Sequence, residues 1–358
     1  MNIDHIHFYV DNAQRSRNWC EEILGFTPVE SRISPHSHTE ILINGGITFV
    51  FSAPLTAASP VAQFLQFQPP GVADLAFRVN SLAEVLQQAT LNGAKQLQPL
   101  QAHKQAGGEL KWSQIQGWGT LKHTLVERTG ITSVWPAEES GGDQGQEQCP
   151  GRAEHSHFSG IDHAVLNLAD RDFAAAIAWY QQTLGFQTDR AFSIQTRRSG
   201  LRSQVLIHPQ GTAQLPLNAP VSTGSQIQEF LELNRGAGIQ HLALQTSDIT
   251  TTIAQLRQRG LAFLETPDCY YSHLQDRIAK SNLNLEISPL KAQGILVDWQ
   301  SEQPHSLLLQ IFTQPIFNQP TFFLEIIERR QQAQGFGEGN FLALFEAIER
   351  EQMKRGSL

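Results

Sequence analysis

The sequence predicts an α+β protein built by duplication, with two similar halves and a helix at the C-terminal end. Three observations carry this. The opening phrase "NIDHIHFYV" (Asn2–Val10) returns as "GIDHAVLNL" (Gly160–Leu168), and "WCEEILGF" from Trp19 returns as "WYQQTLGF" from Trp179. Strand-like alternation and helix-like periodicity also follow one another in the same order in both halves. Further along, "GVADLAFRVNSLAEVLQQATLNGAKQL" from Gly71 is echoed by "GIQHLALQTSDITTTIAQLRQRGLAFL" from Gly238. "GTLKHTLVERTG" from Gly119 resembles "PTFFLEIIERRQ" from Pro320. The offset between copies grows along the chain, as loop insertions in the second copy produce.

Each copy opens on a strand such as "HAVLNL", whose residues alternate with period two. Asp170 is placed to cap the following helix, whose Phe173, Ile177, Tyr180 and Leu184 share one face before Gly185 stops it. After several β-rich segments the unit restarts at "HLALQT", with Asp248 as cap and Gly260 as stop. Ser81 and Gly93 hold the matching positions in the first copy. Each half therefore contains two strand–helix–strands units, and the chain contains four. Residues 137–157, rich in Gly, Glu and Gln, read as an exposed linker between domains at 1–136 and 158–358. The segment "EGNFLALFEAIEREQMKRG" reads as an amphipathic helix with Phe341, Leu344, Phe345 and Ile348 on one stripe.

Composition narrows the function. A net charge of −8 with scattered Lys and Arg argues against a nucleic-acid surface or a polybasic membrane anchor. No apolar run is long enough to cross a bilayer, and "MNIDHIHF" is no signal peptide. Cys20, Cys149 and Cys269 are too few and too widely spaced for a disulfide framework or a thiolate metal site. A soluble cytoplasmic protein is expected.

Strand alternation fixes side-chain direction, so polar residues on an apolar face stand out. His163 lies on the Val165 face, His241 on the Ala243 face, and Glu325 shares a face with Phe323 and Ile327 inside an apolar run. A buried carboxylate needs a partner. Two histidines and one glutamate on three strands of one half suit a metal such as Fe(II), with coordination positions left open. The first copy is an internal control: it has His5 for His163, but Asp74 for His241 and Thr124 for Glu325. Only the second copy is expected to hold metal. The pairs His36 and His38, and His155 and His157, sit in polar, loop-like sequence, and His123 offers no evident partner. No phosphate-binding loop, nucleophile elbow or paired-cysteine zinc pattern appears.

Five stretches of the second half, "GIQHLAL", "SQIQEFL", "LLLQIFTQP", "FFLEIIER" and "GFGEGNFLALF", resemble in order those of the 4-hydroxyphenylpyruvate dioxygenase family of the vicinal-oxygen-chelate superfamily. The resemblance covers essentially the whole chain and is specific in the second half. It implies four βαβββ modules forming two open barrels. It also implies Fe(II) on His163, His241 and Glu325, where the 2-keto acid of 4-hydroxyphenylpyruvate and dioxygen share the remaining positions. The implied products are carbon dioxide and homogentisate, reached by oxidative decarboxylation, ring hydroxylation and side-chain migration.

By the same resemblance, Ser203, Asn218, Gln226, Gln240 and Gln310 hydrogen-bond the substrate, and Phe312, Phe323, Phe336 and Phe341 wall the ring. Gly335, Gly337 and Gly339 let the last helix act as a lid. Two departures concern loop geometry: Ala219-Pro220 after Asn218, and "LVDWQSEQPHS" ahead of "LLLQIF". Hydroxymandelate synthase, on the same substrate and metal, is the alternative reading. A metal-free binding protein of this fold and extradiol ring cleavage are the others. A homo-oligomer is expected, and homogentisate can feed tyrosine breakdown or tocopherol and plastoquinone synthesis.

Overall fold

The computed structural model describes residues 1–358 other than 106, 131–155, 196–198, 223, 282 and 357–358. Most of the expected linker, with Cys149 and His155, lies outside the described residues, as do the side chains of Leu344 and Phe345. The first half contributes β1 (Asn2–Tyr9), α1 (Ala13–Trp19), β2 (Thr27–Ile33), β3 (Ser37–Asn44), β4 (Ile47–Pro54) and α2 (Pro60–Phe67). It continues through β5 (Gly71–Arg78), α3 (Leu82–Leu91), β6 (Gln96–Gln105), β7 (Gly108–Gln116) and β8 (Lys122–Gly130). The second half repeats the order: β9 (Gly160–Asn167), α4 (Phe173–Leu184), β10 (Gln187–Gln195), β11 (Gly200–Ile207), β12 (Gln214–Pro220) and α5 (Gln226–Leu233). Then come β13 (Gly238–Gln245), α6 (Ile249–Gln258), the inserted α7 (Asp268–Ser281) and α8 (Ser288–Gln293), β14 (Leu296–Gln300), β15 (Gln303–Phe312), β16 (Phe323–Arg329) and α9 (Phe341–Arg355).

Each half folds its strands into one eight-stranded sheet, in the order β2-β3-β4-β1-β5-β8-β7-β6 and β10-β11-β12-β9-β13-β16-β15-β14. The first strands of the two units, β1 with β5 and β9 with β13, pair antiparallel at the centre. β13 and β16 then run parallel. The insertion of α7 and α8 accounts for most of the last and largest step in the offset between the copies. One face of each sheet packs on its helices, and the apolar core runs without a break from one half into the other. Phe8 meets Phe322 edge-on at 5.3 Å, and Phe77 meets Phe186 at 5.8 Å. No helix among the described residues is long and apolar enough to cross a membrane.

The helix starts differ from expectation. Asp170 opens a short 3-10 turn (Asp170–Asp172) and pairs with Arg202, so it does not cap α4. Ser81 makes no side-chain capping bond. Glu127 supplies the acceptor instead, taking the Leu82 N–H at 2.7 Å, and Glu328 takes the Ile249 N–H at 2.9 Å in the other half. Asp248 does cap α6, through the Thr251 N–H. An exposed backbone N–H at a helix start needs an acceptor, and here a glutamate from the neighbouring strand provides it.

Candidate metal centre and substrate cavity

Register brings the three expected ligands together. Ala243 of β13 pairs with His163 of β9 on one side and with Glu325 of β16 on the other, while His241 pairs with Phe323. One side chain from each of three adjacent strands thus projects from the same face. One ligand-capable atom of each lies within 4.8 Å of the others, and all three residues are buried. Glu325 Oε2 is 3.3 Å from His163 Nε2 and 3.7 Å from His241 Nε2. Two imidazole nitrogens and one carboxylate, fixed on sheet and open to a cavity on one side, form a donor set suited to a divalent first-row metal.

The two imidazoles differ electrostatically. Burial opposes a proton on His163, but the Glu325 and Asp162 carboxylates outweigh it and lift the pKa to about 9. Burial and then the neighbouring His163 push His241 well below its ordinary value. Burial likewise opposes charge on Asp162, and Arg329 and His163 reverse that, holding its carboxyl below the usual carboxylate range. Asp162 Oδ1 lies 2.8 Å from His163 Nδ1, and Arg329 donates to both Asp162 oxygens at 2.6 and 2.7 Å. An N–H at Nδ1 directed to that carboxylate leaves the Nε2 lone pair free for a metal. Arg329 also donates to the carbonyls of Ala333 and Gly335 at 2.9 and 2.8 Å, so one guanidinium fixes both the histidine's partner and the start of the C-terminal segment.

Sequence reasoning missed Asp162 and Arg329, although the signal was there. "IDH" and "ER" occur in both copies, and in the first half Asp4 meets His5 at 2.8 Å while Arg128 grips Asp4 at 2.8 and 2.9 Å. The rest of the first-half site is closed. Asp74 accepts from the Thr124 N–H and hydroxyl at 2.9 and 2.5 Å and from Gln114 at 2.7 Å. Its carboxylate is committed to protein donors.

The cavity beside the triad is lined by eleven of the twelve expected residues: His163, Asn218, Gln226, Gln240, His241, Gln310, Phe312, Phe323, Glu325, Phe336 and Phe341. Ser203 is buried but does not line it, and its hydroxyl has no hydrogen-bond partner among the described residues. Val165, Phe192, Ile194, Leu201, Pro216, Ile227 and Ile348 complete the apolar walls. Strand parity in β9–β12 makes the direction of those on strands legible, while Ile227 and Ile348 come from α5 and α9, and apolar residues carry no signal that separates a wall from a core.

Phe323 stacks on His241 at 4.7 Å, and Phe336 meets His163 edge-on at 5.1 Å. Gln310 donates to Glu325 Oε1 at 3.3 Å and accepts from Asn340 at 3.2 Å, and the Tyr270 hydroxyl donates to Asn340 at 2.7 Å. A continuous polar chain therefore links the carboxylate to the first turn of the C-terminal helix. Arg190 and Glu338 add an ion pair across the same segment at 3.0 Å.

Three other histidines singled out in the sequence have partners outside this site. His123 is buried between the Leu75 carbonyl at 2.8 Å and the Tyr180 hydroxyl at 3.0 Å, so it joins the two halves and does have partners. His38 lies on β3 against Glu40 at 2.7 Å, not in a loop, and His36 meets Thr56.

A family model described as the glyoxalase/bleomycin resistance protein/dioxygenase superfamily matches residues 2–111 and 160–278. An uncharacterized protein of Synechocystis sp. is 36% identical over 98% of this chain and 97% of its own length. The 4-hydroxyphenylpyruvate dioxygenases of Yarrowia lipolytica and Danio rerio are each 34% identical. They cover 99% and 100% of this chain, and 93% and 92% of their own lengths. Among solved structures, a mutant 4-hydroxymandelate synthase from Streptomyces coelicolor matches with TM-score 0.82 at 25% identity over 98% of both chains.

Proposed function

Starting from a chain that belongs to the 4-hydroxyphenylpyruvate dioxygenases of the glyoxalase/bleomycin resistance protein/dioxygenase superfamily, we propose that it turns 4-hydroxyphenylpyruvate and O2 into homogentisate and CO2 on Fe(II) held by His163, His241 and Glu325. The observation that carries the metal assignment is the convergence of three buried ligand atoms within 4.8 Å on adjacent strands. Bound there, Fe(II) supplies a Lewis acid for the 2-keto acid and a redox centre for dioxygen.

The chain's own residues do the rest. Asp162, steadied by Arg329, holds His163 with Nε2 facing the metal. Gln310 keeps Glu325 Oε1 engaged, which turns Oε2 toward the histidines. Phe323, Phe312 and Phe336 form flat apolar surfaces that orient an aromatic ring and exclude water from the reacting end. Asn218 and Gln226 offer hydrogen bonds toward the ring hydroxyl. In this reading residues 158–358 are the catalytic domain, and residues 1–136 are its scaffold, with no complete ligand set among the described residues.

The likeness to a 4-hydroxymandelate synthase supports a second reading, benzylic rather than ring hydroxylation. Phe336 against His163 and the complete "GFGEGNF" lid favour the ring. Product chromatography on Fe(II)-loaded protein decides. Homogentisate that disappears in Glu325→Ala is the expected result, and 4-hydroxymandelate from the unaltered protein would overturn the ring assignment.

A further inference from the structure

Among the described residues, several buried side chains outside the cavity lining have an unpartnered polar atom, and Asn167 is the one amide with both ends unpartnered. β11, β12 and β9 are neighbours in register: Ser203 pairs with Asn218, and Asn218 with Asn167. On β9, Val165 lines the cavity, Leu166 packs into the apolar core, and Asn167 returns to the Val165 face. Asn167 is completely buried, and neither Nδ2 nor Oδ1 has a hydrogen-bond partner among the described residues. Ser203 Oγ and Gln226 Oε1, from the same end of the site, are buried without partners too. Of the three residues in the row only Asn218 reaches the cavity. β13 continues the row with Gly238, where a Cβ would lie 2.6 Å from Asn234 Nδ2 at the end of α5, so the row is roofed.

A wholly desolvated amide with no partner is unfavourable in the free protein, and an apolar side chain would pack there without that penalty. The amide is accounted for by a state in which the row is completed. Asn167 lies four strand residues beyond His163, roughly 13 Å at 3.3 Å per residue. That separation suits a molecule whose keto acid is held at the metal and whose ring hydroxyl points to the opposite pole.

Resting on the substrate reading above, we infer that Asn167 is a positioning residue for the ring hydroxyl, acting through Asn218. An asparagine amide has a donor end and an acceptor end. When the substrate hydroxyl takes one end of the Asn218 amide, Asn167 takes the other and fixes which end faces the ring. Asn167 is therefore a determinant of selectivity for para-hydroxylated over unsubstituted rings.

The test compares 4-hydroxyphenylpyruvate with phenylpyruvate, which lacks the hydroxyl, using Fe(II)-loaded full-length protein. Asn167→Leu is expected to raise KM for 4-hydroxyphenylpyruvate about tenfold with kcat within twofold, and to leave KM for phenylpyruvate within twofold. Substrate-free Asn167→Leu is expected to melt at or above the temperature of the unaltered protein. Asn167→Ser, which fits any space the asparagine fills, is expected to fall between the two in selectivity. Equal KM changes for both compounds, or none, overturn the inference while the substrate reading stands. An unaltered protein that binds both compounds equally under argon overturns the two together.

Discussion

Asp162 sits between an imidazole and a guanidinium, and the same arrangement recurs at Asp4 in the other half, which gives a built-in control. Asp162→Asn removes the charge that orients His163. It should weaken divalent-metal binding by roughly 10- to 100-fold, the range typical of such supporting partners. A titration with Fe(II) or Co(II) measures this, and Asp4→Asn should leave metal affinity unchanged. Equal losses in the two variants would mean that Asp162 acts only on stability. His7 makes a separate prediction. Burial first, with smaller effects from His5 and Lys122, outweighs the pull of Asp74 and lowers its pKa from 6.5 to about 3. Below pH 6.5 the unfolded chain takes up a proton that the folded protein refuses. The contribution is therefore full above pH 6.5 and is lost toward pH 3, by up to about 1.4 kcal/mol per pH unit. Urea unfolding at pH 7 and pH 5 should show a shallower dependence in His7→Asn. The convergence of His163, His241 and Glu325 was legible because a polar residue among alternating apolar ones is conspicuous. Asp162 and Arg329 were not, because a charged pair at strand ends looks like solvated surface until the sheet closes.

Among the elements, the segment between β16 and α9 is held by contacts that tolerate little change. Gly337 has φ +78°, and a Cβ there would fall 1.7 Å from Gln310 Oε1. Gly337→Ala combines backbone strain with displacement of the glutamine that engages Glu325. Gly93 also has a left-handed φ, of +84°, but a Cβ there meets nothing within 4 Å. Gly93→Ala should cost about 1 kcal/mol from conformation alone. Gly337→Ala should cost more and lower kcat at least tenfold. Thermal melts beside turnover assays separate the two effects, and a Gly337→Ala enzyme with unaltered kcat would remove Gln310 from the positioning chain. The strands and most helices were readable from period and stop residues. The caps at α3 and α4 were not, since Ser81 and Asp170 have the right chemistry at the right place but Glu127 takes the Leu82 N–H and Asp170 pairs with Arg202.

Across the whole molecule, the duplication was plain in the sequence, while the joint between the copies was hidden. His123, which in the sequence has no evident partner, bonds Tyr180 of the other half, and aromatic contacts carry the core across. With one apolar core shared by both halves, urea unfolding followed by fluorescence and by circular dichroism should give one coincident transition. Two separated transitions would show that the halves are independent domains. The placement of the proposed metal ligands at positions 163, 241 and 325, on the central strands β9, β13 and β16, has a consequence during synthesis. A ribosome delivers the first half, then β9 and β13, long before Glu325 leaves the exit tunnel, and domains fold in that order. Until β16 docks beside β13, the nascent chain presents only paired histidines, which hold a metal weakly. On that assignment metal capture is deferred to the end of translation, and a truncated product that stops before residue 325 lacks the third donor.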